Sequence, residues 1–230
     1  LELLRKACGA ESEMLSMAVA GSRGGAWLFA AAALCMHLTA HAAGDAKLGE
    51  KKFYTCVGCH GIDNYRNAYP DYSVPKLRHQ NAIYIVAALQ EYKSGARPHA
   101  TMHAQASSLS DQDMADIAAY LQGPDPVKPP AATPAATAAL PSQVAGCSAC
   151  HGDAGLGVDA PLDPKPPVLA GQYRDYLTQA LIAYRNGRRK NGVMNGMAAS
   201  LATERDVAIA AAYFSGQPTP LATAKVGSQW

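Results

Sequence analysis

Apolar residues recur at helical spacing along most of this chain. Ile83, Val86, Ala87 and, a turn on, Gln90 and Tyr92 share one side of a 3.6-residue period. They predict a helix over Asn81–Lys93, with Gly95 as its terminator. Met114, Ile117, Ala118 and Leu121 predict another from Ser110 to Gly123, with Asp113 placed after Ser110 for a capping box. An earlier helix, Ala46 to Val57, leads with Phe53 and Tyr54 into a pair of cysteines. The second half follows the same plan. A helix is expected over Tyr173–Asn186, and a last one is capped by Thr203 and Asp206. Pro and Gly fill the segments between helices, as in Pro161–Gly171. The reading is all-α, in two similar halves.

The halves are copies. Cys56, Cys59 and His60 match Cys147, Cys150 and His151 at an offset of 91. One residue of drift later, at 92, Pro75, Leu77, Gln80, Tyr84, Tyr92, Arg97 and Met102 match Pro167, Leu169, Gln172, Tyr176, Tyr184, Arg189 and Met194. At 93, Asp113, Tyr120 and Gly123 match Asp206, Tyr213 and Gly216. Single-residue drifts are what loop insertions leave behind. The expected organisation is residues 1–42 as a leader, 43–123 as a first domain, 124–145 as a Pro/Ala-rich linker, 146–216 as a second domain and 217–230 as a tail. A linker of this length could span ~70 Å if extended, so any fixed geometry must come from an interface between the copies.

The leader reads as a secretory signal. Arg23 precedes an apolar run from Ala26 to Met36, and Ala40-His41-Ala42 is a small-x-small cleavage site, so the mature chain is expected to begin near Ala43. The run is 11 residues, against the roughly 20 a spanning helix needs. Cys8 and Cys35 fall within this leader. A net charge of +2 calls for no nucleic-acid partner. Aromatics make up 7% of the chain, with three Phe, which is thin for a core built from side chains alone. Each copy is near the lower size limit for a self-sufficient core. A large apolar prosthetic group would supply the missing centre.

The remaining cysteines say which group. Cys56-Val57-Gly58-Cys59-His60 and Cys147-Ser148-Ala149-Cys150-His151 are C-x-x-C-H strings, the attachment motif of c-type haem. Two thiols three residues apart reach the two vinyl groups, and the adjacent imidazole binds the iron. A zinc site would have to pool two cysteine pairs 91 residues apart. A dithiol oxidoreductase would need a βαβ context that is absent. Two covalently attached haem c groups are therefore expected, with His60 and His151 as iron ligands.

The sixth ligand is assigned by repeat position. Met102 and Met194 each lie seven residues before a Leu, ahead of the last helix. Met197 competes with Met194, and His99 and His103 compete with Met102; the second copy has Asn191 and Asn195 at those two positions. A filled sixth position closes the iron to substrate and suits electron transfer. Pro75 and Pro167 open Pro-x-Leu turns whose carbonyls could accept the imidazole N–H. Arg97 and Arg189 could pair with haem propionates.

These motifs, over roughly Asp45 to Gly216, resemble the cytochrome c4 family: dihaem carriers made of two class I cytochrome c domains. The features that carry it are the tandem C-x-x-C-H motifs, the Pro-x-Leu-x-x-Gln segments at Pro75 and Pro167, and the Met before each final helix ending in Ala-Tyr. The long Pro/Ala linker departs from the simplest pattern. The resemblance implies a periplasmic, monomeric carrier rather than an enzyme. It would make peripheral contact with membrane complexes and pass single electrons from a quinol-oxidising cytochrome bc complex to a terminal oxidase. The cytochrome subunit of a dehydrogenase such as flavocytochrome c sulfide dehydrogenase looks similar. A dihaem peroxidase would need one open iron, which a matched Met in both copies disfavours.

Overall fold

The computed structural model describes residues 44–123, 139–158 and 165–227. The expected leader, cleavage site and most of the linker lie outside them. All the described residues belong to one compact unit that starts at Ala42.

The first copy contains α1 (Ala46–Lys52), α2 (Val57–His60), α3 (Ala82–Ser94), α4 (Ala100–Ser107) and α5 (Asp111–Gln122). The second contains α6 (Ser148–His151), α7 (Arg174–Arg185), α8 (Gly192–Ala199) and α9 (Glu204–Ser215). Among the described residues there is no β-strand, only two isolated bridges, and no helix is long and apolar enough to cross a membrane. The all-α expectation holds.

The cap chemistry explains the boundaries. Ser110 accepts from the Asp113 amide at 3.1 Å, while Asp113 accepts from the Ser110 amide at 2.9 Å. Thr203 and Asp206 repeat the pair at 3.1 and 3.0 Å. Gly95 ends α3 at φ 80°, a left-handed turn that a side chain would resist. Three expectations differ. The single helix over Ala46–Val57 is broken: α1 stops at Lys52, and Phe53–Thr55 tightens into a 3-10 turn before α2. The buried face of α3 is Ile85, Ala88 and Tyr92, while Ile83 is 54% exposed. That helix is apolar nearly all round, so periodicity alone selects no face. Helices α4 and α8, which carry the methionines, had not been anticipated.

Each copy has its own core. In the first, Phe53, Ile85, Ile117 and Leu121 pack with Tyr120. Helix α1 lies hard against α5 at Gly49, where a Cβ would meet the Asp116 carbonyl oxygen at 1.9 Å. The fully buried Asp116 carboxylate fastens the crossing, accepting from the Asp45 amide and Gln112 at 2.8 Å each and from Lys52. In the second copy Leu177, Leu201, Val207 and Phe214 pack with Val144, which is fully buried in the 3-10 turn Ser142–Val144. Core packing thus begins before residue 146. It also continues past residue 216. Leu221 is buried with Val168 and Ala170, and Ala224 joins the core of the first copy. Between them Arg78 and Ala222 pair as an antiparallel bridge.

The copies share an interface. Asp175 accepts from Arg66 at 2.6 Å and from the Ser73 amide at 2.9 Å. Arg97 reaches Tyr176 at 2.6 Å, and the Lys190 amide donates to the Ala96 carbonyl at 3.0 Å.

Candidate haem sites

Each C-x-x-C-H motif sits on one turn of helix. Cys56 is the N-cap of α2 and Cys147 that of α6, so thiols at i and i+3 and the imidazole at i+4 share one side. All four thiols are free and half-buried. Burial raises Cys56 and Cys147 above the ordinary thiol range, which keeps them protonated and unlike the activated thiolate of a dithiol oxidoreductase.

The imidazoles are held alike in both copies. His60 Nδ1 donates to the Pro75 carbonyl at 3.0 Å, and His151 Nδ1 to the Pro167 carbonyl at 3.0 Å. A carbonyl can only accept, so Nδ1 carries the proton and Nε2 keeps its lone pair. Burial brings His60 down to about 4 against the opposing pull of the Pro75 carbonyl, and it lowers His151 in the same way. Both rings are neutral at pH 7, the form that binds a metal. Among the described residues no three His, Cys, Asp or Glu side chains gather around a common point.

Met102 and Met194 occupy equivalent places three residues into α4 and α8, both half-buried. The Met102 amide donates to His99 Nδ1 at 3.3 Å, and the Met194 amide to Asn191 at 3.0 Å. His103 Nδ1 donates to the Tyr92 carbonyl at 2.9 Å, and Asn195 to the Tyr184 carbonyl at 2.6 Å. The two histidines therefore do the capping and bracing that two asparagines do in the other copy. Met197 packs beside Gly146, its Cε 3.1 Å from where a Cβ there would stand. Its counterpart in the first copy is Gln105.

The two arginines are buried at the interface. Arg97 stacks on Tyr92 at 4.5 Å and donates to Tyr84 at 3.2 Å as well as to Tyr176. Arg189 stacks on Tyr184 at 4.5 Å, and its Nε and Nη2 are buried without a hydrogen-bond partner. Buried orphan donors on a cation are costly, so an anionic group is wanted there. A cavity of about 600 Å³ beside them is lined by Tyr72, Arg97, His99, Tyr176 and Arg189. None of the four cysteines, His60 or His151 lines it, so it marks the guanidinium side of the arrangement and not the attachment side. Free thiol pairs, neutral imidazoles and a buried guanidinium with two unsatisfied nitrogens fit a propionate-bearing haem. Burial raises the Tyr176 phenol, but Arg97 and Arg189 outweigh it and lower it.

Sequence reasoning gave no role to Gln80 and Gln172, although both stand in the repeated Pro-x-Leu-x-x-Gln segment. Each crosses to the other copy: Gln80 bonds Val168, and Gln172 bonds Lys76.

The Cytochrome c family model matches residues 46–123. Cytochrome c4 of Stutzerimonas stutzeri is 34% identical over 198 residues, covering 77% of this chain and 91% of that protein. A thiosulfate dehydrogenase electron acceptor of Stutzerimonas stutzeri is 33% identical over 202 residues, covering 80% and 91%. The crystal structure of reduced recombinant cytochrome c4 from Pseudomonas stutzeri superposes with a TM-score of 0.57 at 32% identity, covering 76% of this chain and all of that one.

Proposed function

Because the chain belongs to the cytochrome c4 family, we propose that it is a periplasmic carrier of single electrons with one covalent haem c in each copy. Cys56 and Cys59 hold the first through thioethers, Cys147 and Cys150 the second. His60 with Met102 would hold the first iron, and His151 with Met194 the second. Arg97 and Arg189 pair with propionates. Bound haem supplies a one-electron exchange between Fe(III) and Fe(II). The protein residues fix the imidazole tautomer, exclude exogenous ligands and neutralise buried charge. The observation that carries this reading is the matched His–Pro carbonyl bond, 3.0 Å in both copies beside paired free thiols.

The donor is a quinol-oxidising cytochrome bc complex and the acceptor a terminal oxidase. A second reading, acceptor for a periplasmic dehydrogenase, draws support from the relative named as a thiosulfate dehydrogenase electron acceptor. Mixing the oxidised protein with each reduced donor separates the two readings by rate.

Intact mass after denaturation should show two retained haems. The thioether-to-iron charge-transfer band should halve in Met102→Ala and again in Met194→Ala, and survive Met197→Ala. Loss of the second half of that band in Met197→Ala would move the ligand. Rapid cyanide binding to the unmodified protein would refute the carrier and favour a peroxidase.

A further inference from the structure

The peptide group that holds each imidazole is also held from the other copy. The Pro167–Val168 unit accepts from His151 through its carbonyl, and its N–H donates to Gln80 Oε1 at 2.7 Å. The Pro75–Lys76 unit accepts from His60, and its N–H donates to Gln172 Oε1 at 3.0 Å. Each carboxamide closes a second bond: Gln80 Nε2 donates to the Val168 carbonyl at 3.0 Å, and Gln172 Nε2 to the Lys76 carbonyl at 2.9 Å. These partners fix the amide orientation, since only the oxygen can accept a peptide N–H. Both glutamines are buried, at 3% and 4% exposure. The donor and target positions match at the same repeat offset, so the interface is a reciprocal pair.

Hydrogen bonds in series polarise one another. A peptide whose N–H is engaged is a better acceptor at its carbonyl. A stronger bond to Nδ1–H makes the imidazole more electron-donating, which stabilises the more positive iron. We infer that Gln80 and Gln172 are positioning residues that act across the interface, each setting the donor strength of the iron-binding histidine in the opposite copy. The inference rests on the haem-ligand reading of His60 and His151. A merely structural glutamine would hold the copies together without favouring one iron over the other.

The test uses the full haem-loaded chain, titrated electrochemically while NMR follows the haem methyl resonances of each copy. A change of about 10–30% in one hydrogen bond to the imidazole corresponds to about two- to fivefold in the ferric-to-ferrous ratio. Gln80→Leu should lower that ratio for the second haem, a rise of roughly 20–40 mV for a one-electron couple, and leave the first unchanged. Gln172→Leu should do the reverse. Gln80→Glu keeps an acceptor toward the Val168 N–H and should not raise the second potential. The His151 ring N–H resonance of reduced Gln80→Leu should shift toward weaker hydrogen bonding. Asp175→Ala loosens the same interface without touching either peptide and should shift neither haem selectively. Equal shifts at both haems, a shift only in the copy that bears the substitution, no shift, or the same pattern in Asp175→Ala would each overturn the inference. Covalent haem content of the same samples is read separately. Fewer than two haems in the unmodified chain would overturn the haem reading itself.

Discussion

Replacing Gly49 by Ala sets two physical effects against each other, and the structure decides between them. In a helix interior Ala is favoured over Gly by about 1 kcal/mol. At Gly49 the new methyl would lie 1.9 Å from the Asp116 carbonyl oxygen and 2.8 Å from the Tyr120 Cβ. The first of these is backbone and cannot rotate away. Restoring ordinary contact means moving α1 off α5 by about 1.5 Å. Overpacking of this kind costs ~1–3 kcal/mol. The displacement also strains the bonds that Asp116 receives from Asp45 and Lys52, each worth about 1 kcal/mol net. The balance is a loss of about 2–4 kcal/mol, or roughly 5–15 °C in Tm for a protein of this size. Gly196 in α8 is the control. It is exposed, and a Cβ there meets nothing within 4 Å, so Gly196→Ala should raise Tm by a few degrees, about 1 kcal/mol or less. Far-UV circular dichroism melts of the haem-loaded chain read both. An unchanged or higher Tm for Gly49→Ala, or a larger loss for Gly196→Ala, would refute the close-approach argument.

Lys52, together with the hydroxyl and amide of Ser110, holds the Asp113 carboxyl well below the usual carboxylate range. Its folded pKa lies under the unfolded value of about 3.9, so its contribution is complete above that pH and is lost as pH falls through the folded value. The acid-side drop in Tm should be shallower in Asp113→Asn, and parallel curves would exclude the effect. Leu221 is 4% exposed in a small cluster with Val168 and Ala170. Leu221→Ala should cost about 2 kcal/mol, read as a lower urea midpoint, and an unchanged midpoint would mean that the C-terminal segment does not hold the fold.

What the sequence made legible was local. The caps at Ser110 and Thr203 could be read because a hydroxyl and a carboxylate three residues apart satisfy each other with no outside partner. The haem motifs could be read for the same reason: two thiols and an imidazole lie on one helical turn. The face of α3 could not, because a nearly uniform apolar helix leaves the choice to its neighbours. Helices α4 and α8 are only eight residues long, and the starting signal of α4 was hidden in His99, a residue considered as a metal ligand. His99 and Asn191 share little in composition, yet both accept from the amide three residues on. That equivalence appears only when the two copies are compared as structures. The Gln80 and Gln172 contacts were invisible because their partners are backbone groups 88 and 96 residues away, and a backbone acceptor leaves no mark on residue identity.

The two copies are alike in their imidazole sites but not in how their cores are completed. The first has α1, clamped by Asp116 against α5. Among the described residues the second has no counterpart to α1, and Leu140 and Val144, from the chain just ahead of its haem motif, pack in its core. The debt runs the other way at the C-terminus. Leu221 stays with the second copy, but Ala224 enters the core of the first, its amide donating to the His60 carbonyl at 3.1 Å. The next residue's carbonyl accepts from Tyr120 at 3.0 Å, and the Gly227 amide donates to Glu50 at 2.8 Å. Residues 221–227 thus bind the second copy to α2, α5 and α1 of the first. The relative placement of the two imidazole sites is held by a reciprocal glutamine pair and a returning segment, so the length of the Pro/Ala-rich connection can vary without altering it.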